Sequence, residues 1–193
     1  MIKSKIWDIA RKRLSQHEME YLQNINFLGD NIYSQVLQFD RILNAGVGLH
    51  NINDENSRGR YHIKDREIFR PFQYIEVYLK MDYQQIEWLT REIIHMCGLH
   101  LESLIKRLLT LTRMPLGQAL TLRLAGLRLD RQLLDDLKVI VKPYNDAKHS
   151  LLQPKDSHFF DIQTTILCYA VTRKLSIELL SVVNLYTPEY VWV

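Results

Sequence analysis

Glycine and proline are scarce in this chain, and that scarcity narrows the fold more than any other feature. Seven glycines and five prolines stand among 193 residues, and those between positions 66 and 185 are widely scattered. A glycine inside a helix costs about 1 kcal/mol and a proline about 3, so a stretch that largely avoids both can run as long helices. With 47% hydrophobic and 24% charged residues, the composition is that of a globular protein and excludes a disordered chain. A chain of this length buries about two thirds of its unfolded surface and suits one domain spanning 1–193. The expected fold is all-α, an antiparallel bundle of about six helices with one long irregular loop.

Apolar periodicity places the helices. Over residues 4–24, Ile6, Trp7, Ile9, Ala10, Leu14, Met19, Tyr21 and Leu22 recur at helical spacing, predicting one amphipathic helix. Gly29-Asp30-Asn31 predicts a stop and a new start, with a second helix over 32–43. Residues 44–65 carry Gly46, Gly48, Asn51, Asn53, Asp54, Asn56, Ser57 and Gly59 without a period. They are expected to form the irregular loop, as a lid or partner surface, and their glycines lack the context of a phosphate cradle. Residues 66–79 predict a short helix, although Tyr74-Ile75-Glu76-Val77-Tyr78 can also sustain a strand.

Asp82 is expected to cap the longest helix, which follows the stripe Ile86, Leu89, Ile93, Met96, Leu101, Leu104 and Leu108 to about residue 112. Pro115 suits the first turn of a helix ending near residue 124. Asp130 is expected to cap a helix through Leu133, Leu134, Leu137 and Ile140, which Pro143 ends. Asp156 or Ser157 is expected to cap a last long helix, buried on the side of Ile162, Ile166, Ala170, Leu175, Leu179 and Val183. The tail 187–193 is too apolar to stand in water, and is expected to pack on the domain or on a protein partner.

A net charge of +3 does not by itself announce a nucleic-acid binder. Cations do crowd two stretches: Lys3, Lys5, Arg11, Lys12 and Arg13, then Lys106, Arg107, Arg113, Arg123, Arg128 and Arg131. Such patches hold phosphates by displacing counterions, or form ordinary solvated faces. Cys97 and Cys168 lie in apolar patterns without metal or redox spacing. The start, Met1-Ile2-Lys3-Ser4-Lys5, lacks an apolar signal core, and no apolar stretch reaches membrane-spanning length. The cytoplasm is the expected location, with no membrane contact.

The candidate chemistry thins out quickly. His95, Cys97 and His100 resemble metal ligands, but His95 lies on a different helix face from Cys97, and no cluster supplies further ligands. His100 is expected to be a satisfied core residue, so neither a metal nor another cofactor is expected. No nucleophile elbow is present, and neither cysteine has an activating base. Asp135 and Asp136 are adjacent and should point to different faces as a solvated surface.

The segment 142–149 stands apart. Pro143 is expected to break the helix and Asn145 to cap a new turn, leaving Lys148 and His149 at its open, partly positive end. Imidazole changes protonation near neutral pH, which suits acid–base work, and a neighbouring lysine can neutralise a phosphate. A purely structural junction, with Asn145 capping and Tyr144 and His149 packing, explains the same residues.

A helical bundle with a polar residue and a histidine at a late helix junction resembles the HEPN superfamily. That resemblance implies a metal-independent ribonuclease of a toxin–antitoxin or defence setting, acting as a homodimer whose two motifs share a cleft. His149 matches the family histidine, Asn145 resembles its polar residue in type, and Lys142 is the basic residue upstream. Lys142 stands where the family carries arginine, offering a point charge in place of a bidentate fork. In this reading His149 is the general base or acid, Lys142 or Lys148 stabilises the phosphate, and Asn145 orients the scissile group. Two other readings remain beside it: a non-catalytic module binding a protein partner, and a small-molecule binder between helices.

Overall fold

The computed structural model of the chain describes residues 2–27, 29, 31–43, 63–108, 113–123, 130–149 and 160–182. All regular structure within them is helical: α1 (Ile2–Arg13), α2 (Gln16–Gln23), α3 (Ile32–Ile42), α4 (Ile63–Leu79), α5 (Tyr83–Leu108), α6 (Leu116–Gln118), α7 (Arg131–His149) and α8 (Ile162–Val182). The short α6 continues into a π-helical turn over Ala119–Arg123. No helix among the described residues is long and apolar enough to cross a membrane. The expected loop 44–65 lies outside the described residues except for its last positions, which already belong to α4. The apolar tail 187–193 also lies outside them.

Two helices occupy 4–24, where periodicity predicts one. The Ser15 hydroxyl accepts from the Glu18 N–H at 3.3 Å, and the Ser15 N–H donates to the Glu18 carboxylate at 2.6 Å. This reciprocal cap satisfies donors that a helix start leaves unpaired, so the chain restarts at Gln16. Glu18 also receives Lys174 at 2.9 Å, which fastens the start of α2 to α8.

Other helix starts follow the same chemistry. Asp82 exchanges two such bonds with Gln85 at the start of α5, and Asp130 accepts from the N–H groups of Gln132 and Leu133 at the start of α7. Helix α8 begins beside Asp161, whose carboxylate accepts from the Thr164 N–H; Asp156 and Ser157 lie outside the described residues. Residues 66–79 are helical throughout, despite Pro71 in the interior of α4 and a β-prone stretch at 74–78.

Helix α8 packs on α1, α3, α5 and α7, and α5 packs on α4, α7 and α8. Residues 164–173 of α8 are buried on every side, in place of the single stripe expected. Within it Ile166 to Val171 is an apolar run without a polar face, as a centrally placed helix requires.

Arg173 and His100 are both paired inside this core. Arg173 donates to both oxygens of Asp40, at 2.9 and 3.2 Å, and lies 4.6 Å over the Phe72 ring. His100 of α5 bridges the Ile68 carbonyl at 2.8 Å and the Ser176 hydroxyl at 2.7 Å. A carbonyl can only accept, so Nδ1 carries the proton and Nε2 accepts from Ser176.

Helix α7 corrects the expectation for Pro143, which lies buried inside one continuous helix. An interior proline forfeits a hydrogen bond and costs about 3 kcal/mol. Leu133, Leu137, Ile140, Tyr144 and Ala147 continue the same buried face on both sides of it. Burying a large apolar side chain stabilises by about 1.5–3 kcal/mol, so this face outweighs the proline.

Candidate functional site

Because α7 does not restart, Asn145 is no N-cap. It lies in the helix interior, exposed, while Lys148 and His149 occupy the last turn. That end carries the partial negative charge of the helix, which favours cations and reverses the polarity expected from the sequence. Lys142, Asn145 and His149 follow one another at three and four residues, so they form one solvent-facing ridge. The Lys142 ammonium lies 3.0 Å from Asp146, one turn on. Lys148 turns aside and sits 5.5 Å above the Tyr144 ring.

Beneath the ridge, α5 presents a polar seam that the periodicity of its apolar face conceals. Gly98 admits the Tyr144 ring so closely that a Cβ there would stand 2.1 Å from a ring carbon. The Tyr144 hydroxyl donates to Glu102 at 2.5 Å, and Lys106 reaches the same carboxylate. Burial and the Glu102 charge push the Tyr144 phenol well above its ordinary range. Burial alone would raise Glu102, yet the bonds from Lys106 and Tyr144, with the charges of Lys106 and Lys148, hold it below its ordinary value. The His95 ring stacks on Tyr144 at 5.6 Å between centroids. One turn earlier, Arg91 donates from Nε to the Ala147 carbonyl at 2.7 Å, capping the end of α7. Its buried Nη2 has no hydrogen-bond partner. One further turn back stands Trp88, 77% exposed.

The four sequence candidates thus lie at one end of one helix, three on a common ridge and Lys148 beside it. Sequence reasoning missed Arg91, Glu102 and Trp88. Their signal is present as Arg91, His95, Gly98, Glu102 and Lys106, a non-apolar series at spacings of three and four along α5, with Trp88 one turn ahead of it.

The remaining candidates settle into structural roles. Cys97 and Cys168 are fully buried, and burial raises both thiols, Cys168 to about 12. Both ring nitrogens of His100 are engaged, and His95 points elsewhere. No group of three or more His, Cys, Asp or Glu among the described residues is placed to hold a metal ion. Asp135 and Asp136 do point to different faces, but only Asp135 is solvated. Asp136 is buried and bound by Arg13 at 2.9 Å. Arg13 also pairs with Glu178 and Asp130, Lys3 with Asp161, and Arg11 with Asp8, so much of the N-terminal basic cluster is engaged with acids. Comparison with family models, curated proteins and solved structures finds no match to this chain.

Proposed function

We propose that this chain is an HEPN-like helical domain, an antiparallel bundle that binds RNA and cleaves it without a metal. The supporting observation is the grouping of Lys142, Asn145, Lys148 and His149, all solvent-facing, on the last two turns of α7. In this mechanism His149 removes the proton of a ribose 2′-hydroxyl. The 2′ oxygen then attacks the adjoining phosphorus and the bond to the 5′ oxygen breaks. The products are a 2′,3′-cyclic phosphate and a 5′-hydroxyl that takes its proton from solvent. Lys148 and Lys142 neutralise the phosphate, and Asn145 orients it by hydrogen bonding. Lys142 can leave Asp146 for a phosphate, since an exposed ion pair contributes no more than about 1 kcal/mol. The resemblance adds a homodimer whose motifs face one another, and a defence or toxin–antitoxin setting.

The test is RNA cleavage by the intact chain and by His149→Ala. His149 is exposed at the end of its helix, so the substitution is expected to leave the fold unchanged and abolish cleavage. An active His149→Ala protein, freed of contaminating nuclease, overturns the catalytic reading.

A second reading, a non-catalytic module for a protein partner, draws on α4. Tyr74 and Val77, one turn apart on α4, are 48% and 53% exposed, and Met81 just past its end is 37% exposed. In that reading Val77→Glu changes the oligomer or partner complex seen by sedimentation, and His149→Ala does not.

A further inference from the structure

We infer that Trp88 is a stacking platform for an unpaired RNA base, and that the adjoining end of α7 holds the phosphate beside that base. The inference rests on the RNA reading above and specifies its substrate as single-stranded.

Trp88 is the most exposed large apolar side chain among the described residues. It does not extend an apolar face of its own helix. The positions one turn away on α5 are Gln84, Gln85, Arg91 and Glu92, all polar. A protein interface centred on a tryptophan buries it among further apolar side chains. A base needs only the flat ring and nearby cations, because stacking is indifferent to base identity and the backbone supplies the charge.

A cation stands one turn from the indole. Arg91, one turn beyond Trp88, joins α5 to the last turn of α7 through the Ala147 carbonyl, and Lys148 and His149 follow directly. The register that seats Tyr144 against Gly98 and Ala147 against Arg91 carries the end of α7 toward Trp88. Acids stand nearby as well. Glu92 lies 3.8 Å from His95, Asp146 pairs with Lys142, and Glu87 is exposed on another side of α5. The Lys148 ammonium turns back over the Tyr144 ring toward Glu102, so the expected path of the strand runs from the indole past Arg91 toward His149.

The experiment is fluorescence anisotropy with a labelled 12-nucleotide oligouridylate and a matched duplex, using the intact chain, Trp88→Ala and Trp88→Phe, with sedimentation of each protein. Trp88→Ala is expected to weaken single-strand binding roughly tenfold or more, with Trp88→Phe retaining most of the affinity. The duplex is expected to bind more weakly than the single strand. Equal binding by the intact chain and Trp88→Ala overturns the platform and leaves the RNA reading standing. No binding of either RNA by the intact chain overturns both. Preference for the duplex, or a Trp88→Ala effect confined to the oligomeric state, also overturns the platform, the latter in favour of a protein contact.

Discussion

Gly98 owes its identity to Tyr144. Alanine is the better helix former by about 1 kcal/mol, yet its Cβ would meet the aromatic ring at 2.1 Å. Overpacking of this kind costs about 1–3 kcal/mol, so Gly98→Ala is expected to lower the thermal midpoint despite its helical propensity. A raised midpoint contradicts the close packing of α5 on α7. His100 illustrates a second kind of residue, whose role follows from what surrounds it. Burial draws its pKa from 6.5 to about 3. Between those values the unfolded chain binds a proton that the folded chain does not, so its contribution is present above pH 6.5 and lost as pH falls toward 3. The slope is at most about 1.4 kcal/mol per pH unit. Urea midpoints at pH 7, 5.5 and 4.5 are expected to fall more steeply for the intact chain than for His100→Gln. The sequence disclosed the placement of His100 because its apolar neighbours recur along one face. It did not disclose the burial of Asp136, because its partner Arg13 lies on a distant helix.

At the scale of the element, caps were legible and interruptions were harder. Asp82 and Asp130 announce their helices, since a carboxylate ahead of an apolar run has free N–H groups to meet. Ser15 and Glu18 spell the same message, but the apolar spacing carries smoothly across them and obscures it. Ser15→Ala is expected to cost about 1 kcal/mol in chemical denaturation, with no change if residues 14–16 were merely a bend in one helix. Pro143 misleads in the opposite direction. Its local effect is unfavourable, and only the buried face of α7 on both sides shows why the helix continues. The position of Lys148 and His149 at a helix C-terminus follows from that continuity.

Over the whole molecule, two central helices organise the rest, and a buried ion pair ties one of them to the N-terminal third. Asp40→Ala removes the carboxylate that accepts two hydrogen bonds from the buried Arg173 guanidinium, and is expected to cost about 3–5 kcal/mol in denaturant unfolding. A loss below about 1 kcal/mol contradicts that tie. All-α character was legible from residue usage, whereas the central burial of α8 was not, because an apolar run does not say how many neighbours surround it. The same limit applies to the candidate site. Lys142, Asn145, Lys148 and His149 lie on one short segment and could be read from it, but Arg91, Glu102 and Trp88 join them only through the packing of α5 on α7. Whether this end of α7 with its α5 seam handles RNA, as proposed, is tested by titrating single-stranded RNA into ¹⁵N-labelled protein and mapping amide and indole shifts. The largest changes are expected on the Trp88 indole and on Lys142, Asn145, Lys148 and His149. Changes centred on Tyr74 and Val77 of α4 and on the adjoining Met81, or none at saturating RNA, would contradict it.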